Sequence, residues 1–95
     1  MPSVNFHVLW PDGQSATYYS PSTIVHEHFT AGAHYSQEEF ASRARAALDE
    51  ASERVYKKFG YYCTAAMAEQ EKIDGKLRQL REEQISGSVQ LARFS

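Results

Sequence analysis

The sequence predicts an α+β domain. A small three-stranded sheet, made of a β-hairpin and a C-terminal strand, packs against a helical hairpin in the order β-β-(short α)-α-α-β. Three observations predict it. Two runs of strand character flank Pro11-Asp12-Gly13. A capping signal at Ser36 opens a long amphipathic stripe that closes at Gly60. A second helical stripe then leads into a final apolar run at 89–94. With 95 residues, the chain is expected to form a single domain over 1–95, with one modest core and no separate ligand domain.

The elements follow in order. Val4, Phe6, Val8 and Trp10 alternate with Asn5, His7 and Leu9, a period of two that marks a strand with one buried face. Residues 14–20 are rich in Thr and Tyr and form the second strand. In the turn, proline presets φ at the first central position, aspartate suits the second, and glycine accepts the left-handed position that follows. This favours a type I turn with a bulge over a two-residue type I′ turn. In the bulged register Phe6 faces Tyr18, so Tyr18 is expected in the core and Tyr19 outside. Strand one is expected at the centre of the sheet.

Ser20-Pro21 reads as an N-cap with proline at the first helical position, predicting a short helix over about 21–29. Thr30 to His34 reads as a loop. Ser36 and Glu39 form a capping box, with Tyr35 and Phe40 in the hydrophobic-staple positions. Phe40, Ala44, Ala47, Leu48, Ala51, Val55 and Phe59 then share one helical stripe, and its alanines imply close approach. Glu50/Arg54 and Glu53/Lys57 are i,i+4 pairs on other faces. A second helix at about 64–84 carries Ala66, Ile73, Leu77 and Leu80 on a narrower stripe completed by Gln70 and Gln84. Gly75 lies nearly opposite that stripe and costs about 1 kcal/mol relative to alanine. Ser86-Gly87-Ser88 ends the helical region, and 89–94 forms the third strand.

Bulk properties narrow the function classes. The formal net charge is −2, which gives no electrostatic footprint for nucleic acid. The basic residues of 43–58 and 72–81 are mixed with acidic ones, as on solvated helix faces. The single cysteine, Cys63, cannot make an internal disulfide. The N-terminal stretch has no basic segment or long apolar run, so no signal peptide and no membrane span are expected, and the cytoplasm is the default compartment.

The ordered set of motifs carries a resemblance. It comprises Trp10-Pro11-Asp12-Gly13, Tyr19-Ser20-Pro21-Ser22, Phe29-Thr30-Ala31-Gly32 ahead of a tyrosine, Phe40 with the run Ser42-Arg43-Ala44-Arg45-Ala46-Ala47-Leu48, and Tyr56-Lys57-Lys58-Phe59-Gly60 followed by Cys63. Over nearly its whole length the chain resembles a small bacterial family of nitrogen-starvation-response proteins. Genes of that family tend to lie beside genes for a nitrilase, a radical-SAM protein and an acetyltransferase. The resemblance implies an accessory role in assimilating unusual nitrogen sources, with partners from the same gene cluster. It implies no catalytic residues.

Several residues could carry chemistry, and each has a plainer explanation. His26, His28 and His34 could share a cation if 26 and 28 lay on a strand. On a helix they lie about 200° apart, so surface histidines and no bound metal are expected. Cys63 precedes a helix, where a thiol can become reactive, but the sequence offers it neither a base nor an oxyanion site. A buried small hydrophobe is the expectation. Trp10, Tyr18, Tyr19, Tyr61 and Tyr62 could stack on bases, yet Arg93 is the only strand cation and a stacking platform needs a basic groove. Asp12 with Ser20 or Ser22 is explained by turn and cap physics.

Two functions stay open. The first is a non-catalytic interaction module without cofactors, contacting cluster partners or itself as a homodimer through His7, Leu9, Trp10 and Tyr19 or through an edge strand. The second is a small-molecule or metal-dependent activity using His26, His28 and His34 or Cys63.

Overall fold

The computed structural model describes residues 3–60 and 64–95. Its elements are β1 (Val4–Leu9), β2 (Ser15–Ser20), α1 (Val25–His28), β3 (His34–Tyr35), α2 (Gln37–Phe59), α3 (Thr64–Glu82) and β4 (Val89–Phe94). The α+β class and the order of the predicted elements hold, but the sheet has four antiparallel strands rather than three, in the order β2-β1-β4-β3. The extra strand occupies part of the predicted loop. His34 and Tyr35 pair with Gln90 and Val89. Just before them, the Gly32 N–H donates to the Leu91 carbonyl at 2.6 Å and Leu91 returns the bond to Ala33 at 3.0 Å. A two-residue strand is too short to show any period, and backbone pairing rather than side-chain pattern defines it.

The hairpin takes the bulged register. Phe6 opposes Tyr18 and Val8 opposes Ala16. The Gly13 N–H donates to the Trp10 carbonyl at 3.0 Å and the Trp10 N–H to the Gln14 carbonyl at 2.8 Å, with Gly13 at φ +89, a left-handed conformation that glycine adopts without steric cost. Val4, Phe6, Val8, Trp10 and Tyr18 consequently enter one core. There Trp10 packs edge-on against Phe40 at 5.3 Å between centroids, and Phe29 sits between Phe6 and Phe40.

The short helix starts later than predicted, at Val25, with Ile24 as its N-cap. Ser20 is still a strand residue opposite Val4, so it is unavailable as a cap. Its hydroxyl donates to the Ser22 carbonyl at 2.7 Å, and the Ser22 hydroxyl accepts the Ile24 N–H at 3.3 Å. Both serines are buried, and their hydroxyls satisfy a turn that would otherwise leave orphan groups in the core.

Helix α2 runs between the predicted signals. The Ser36 hydroxyl accepts the Glu39 N–H at 3.1 Å, and Gly60 closes the helix at φ +80. The Glu39 carboxylate accepts from Arg43 instead of completing the reciprocal half of the box. The stripe is buried from Phe40 to Val55, while Phe59 is half exposed. Ala44, Ala47 and Ala51 are fully covered, and their short side chains bring the backbones together. Glu50 faces His28 at 3.4 Å.

Helix α3 buries Ala66, Ile73, Leu77 and Leu80. Gln84 does not extend that stripe. It is exposed and left-handed at φ +56, with Ile85 N–H bonded to the Leu80 carbonyl and Gln84 N–H to the Arg81 carbonyl. This is the Schellman pattern with glutamine in the position glycine usually takes. No helix among the described residues is long and apolar enough to cross a membrane.

A cross-link ties α3 to the hairpin turn. Lys76 Nζ lies 2.5 Å from Asp12 Oδ2 and 3.1 Å from Gln14 Oε1, while Asp12 Oδ1 accepts the Gln14 N–H at 3.0 Å. Both charged side chains are nearly nine-tenths covered, at 11% and 12% exposure. The Lys76 ammonium and then the Gln14 N–H hold the Asp12 carboxyl below its usual value.

Three expected outcomes follow from these contacts. Ser36→Ala should lower stability by about 1 kcal/mol, because one helix-start donor loses its acceptor; an unchanged denaturant midpoint would contradict the cap. Gly75 is exposed on α3, and an added Cβ would meet nothing within 4 Å. Gly75→Ala should therefore raise stability by up to about 1 kcal/mol, seen as a higher urea midpoint with an unchanged slope. Asp12 has a lowered folded pKa, so its contribution is present at neutral pH and is lost as pH falls through that value, below about 4. The melting-temperature advantage of the wild type over Asp12→Asn should shrink on acidification from pH 7 to about 2.5; a constant gap would exclude the Asp12 contribution.

Candidate interaction surface

The pleat of β1 and β2 sorts side chains onto two faces. Even-numbered residues from Val4 to Trp10, with Tyr18 and Ser20, turn toward the helices. Asn5, His7 and Leu9, then Ser15, Thr17 and Tyr19, form the outer face, joined by Arg93 opposite His7. Leu9 is 41% exposed. Of the predicted contact residues, His7, Leu9 and Tyr19 lie together on this face. Trp10 does not: at 2% exposure it is a core residue, because its even position points it inward.

His7 occupies the centre of the face. Its Nδ1 is 2.9 Å from the Thr17 hydroxyl and its Nε2 is 2.7 Å from the Ser95 hydroxyl. A neutral imidazole has one donor and one acceptor nitrogen, and both are engaged. A hydroxyl bonded to an imidazole is half of a nucleophile–base pair. Here the other nitrogen meets a threonine hydroxyl rather than a carboxylate, and the pair lies on an open sheet face rather than in a cleft.

The backbone on the outer side of the sheet is also ordered by the turn. Asn5 exchanges both backbone bonds with Ser95, so the odd residues of β1 bond toward β4 and the even ones toward β2. On β2, Ala16, Tyr18 and Ser20 therefore bond to β1. Ser15, Thr17 and Tyr19 direct their N–H and C=O groups away from it, at the margin of the sheet.

Elsewhere the charged groups serve packing. Arg43 donates to the His28 carbonyl at 2.9 Å, pairs with Glu39 and covers the Tyr35 ring at 5.2 Å. A groove of about 1070 Å³ between α2 and α3 has Leu77, Leu80 and Ile85 in its floor and Arg45, Arg78 and Arg81 on its rim, with Arg45 3.4 Å from Asp74. Between α3 and the hairpin, burial pushes the Tyr18 hydroxyl up, and the Glu69 carboxylate adds to the shift.

The structure separates the three histidines considered for metal. His26 packs on the Phe94 ring at 4.2 Å, His28 faces Glu50, and His34 lies exposed on β3. Among the described residues, no group of three or more His, Cys, Asp or Glu side chains is placed to hold a cation. Cys63, Tyr61 and Tyr62 lie outside the described residues. Sequence reasoning missed the Lys76–Asp12 link, which joins positions far apart in the chain. Sequence reasoning offers an edge strand as a contact route without naming it; the strand order makes β2 one such edge, and its run from Gln14 to Ser20 is uncharged.

No curated protein and no solved structure matches the chain. The family model of the nitrogen starvation-induced protein NitG matches residues 5–94, which takes in both long helices and all of the sheet except Val4. The chain belongs to that nitrogen starvation-induced family, as its ordered motifs suggested.

Proposed function

We propose that the protein acts as a non-catalytic accessory module in the bacterial nitrogen-starvation response, working by contact with other proteins, including those of nitrilase-type gene clusters, and with itself. One observation carries this reading: helices cover a single face of the sheet, leaving the outer face accessible at Leu9 and Tyr19 and, along β2, at Ser15 and Thr17. Accessible aromatic and aliphatic side chains on a rigid sheet suit protein contact.

The polar chemistry supports it. His7 is held by two hydroxyls, Lys76 by Asp12, and His28 by Glu50. Each arrangement braces neighbouring elements, and none converges with a second acid or base on a cleft.

Purified protein incubated with nitriles, amides or nucleotides should consume none of them. Turnover abolished by His7→Ala, His28→Ala or Cys63→Ser would replace this reading with an enzymatic one.

A further inference from the structure

We propose that β2 is the seam of a homodimer, in which two copies join β2 to β2 antiparallel across a two-fold axis at Thr17. The proposal rests on the contact reading above and names the surface and the partner. The sheet has two margins. At one, β3 spans only two residues. At the other, β2 offers six residues, Ser-Ala-Thr-Tyr-Tyr-Ser. The N–H and C=O groups of Ser15, Thr17 and Tyr19 point out of the sheet, and among the described residues none has a hydrogen-bond partner.

Edge strands in monomeric proteins are ordinarily blunted by charge, proline, a bulge or shortness. Strand β2 has none of these protections. It carries no Lys, Arg, Asp or Glu and no proline, its ladder with β1 is regular throughout, and the one irregularity in the sheet lies between β1 and β4. Lys76, which reaches the turn ahead of the strand, is tied to Asp12 and Gln14. Nothing charged on the strand opposes a second strand.

Two-fold symmetry makes an antiparallel edge self-complementary. One register pairs all three outward residues: Thr17 opposes Thr17 of the second copy, and Ser15 opposes Tyr19 of the second copy in both directions. Outward-facing residues in opposition exchange both backbone bonds. The side-chain pairs that result, Thr with Thr and Tyr with Ser, are compatible cross-strand neighbours. The two four-stranded sheets then form one continuous sheet with both long edges joined. A single strand pair buries less than a standard interface of roughly 1,600 Å², so association is expected in the micromolar range.

Sedimentation equilibrium of the full chain from roughly 1 to 500 µM tests this. The mass should rise from 10.8 kDa toward twice that value. Thr17→Lys places like charges on the axis and should weaken association by roughly tenfold or more. Its circular dichroism should stay close to wild type, and its unfolding in dilute solution should shift only slightly, because the Thr17–His7 bond that the change removes is solvent-exposed. In a Cys63→Ser background, Thr17→Cys should form a covalent dimer on mild oxidation and Leu9→Cys should not. A monomer at every concentration, a dimer indifferent to Thr17→Lys, or cross-linking through Leu9→Cys alone would overturn the seam. A monomer without enzymatic turnover would remove the seam and leave contact with a foreign partner standing; turnover would remove the contact reading itself.

Discussion

The turn at Pro11-Asp12-Gly13 constrains nearly everything else in this domain. A left-handed Gly13 and the bulge it creates fix which residue of β2 opposes which residue of β1. A shift of one residue would move every side chain of β2 to the other face. Tyr18 would leave the core, Tyr19 would enter it, and the packing of Phe6, Trp10, Phe29 and Phe40 would lose its complement. The same register decides which backbone groups of β2 face β1 and which face solvent. Core composition and edge chemistry thus follow from one turn.

The helices hold that arrangement from behind. The covered alanines of α2 bring its backbone close to its neighbours, and the aromatic side chains fill the space beside it. Lys76 reaches from α3 to the turn itself, so the hairpin tip is held by the helical layer as well as by its own strands. A largely covered ion pair is strongly destabilising to break by removing one partner, although its net contribution is modest because both ions are desolvated. Its geometric role is clear: Asp12 bonds the Gln14 N–H and Lys76 together, at the point where the bulge begins.

Much of the fold was legible in the sequence because its signals were local. The alternation of 4–10, the Ser36 cap, the α2 stripe and the Gly60 stop each depend on residues within one or two turns of chain. What escaped was non-local or competitive. Ser20 carries a strong cap signal, yet pairing with Val4 claims it for the sheet. His34 and Tyr35 become a strand only because β4 runs beside them. The surface residues were partly legible: period two places His7, Leu9 and Tyr19 outside, and the same rule places Trp10 inside. Which polar side chains would pair, as His7 does with Thr17 and Ser95, required the tertiary structure.

The bulged register leaves the odd residues of β2 as an unprotected edge, which by our proposal a second copy fills. Residue-resolved amide hydrogen exchange, followed as a function of protein concentration, tests it most directly. Ala16, Tyr18 and Ser20, bonded to β1, should exchange slowly at every concentration. Exchange at Ser15, Thr17 and Tyr19 should be fast in dilute solution and slow as the concentration rises. Fast exchange at Ser15, Thr17 and Tyr19 at all concentrations would contradict the edge pairing, and the opposite alternation along β2 would contradict the register itself.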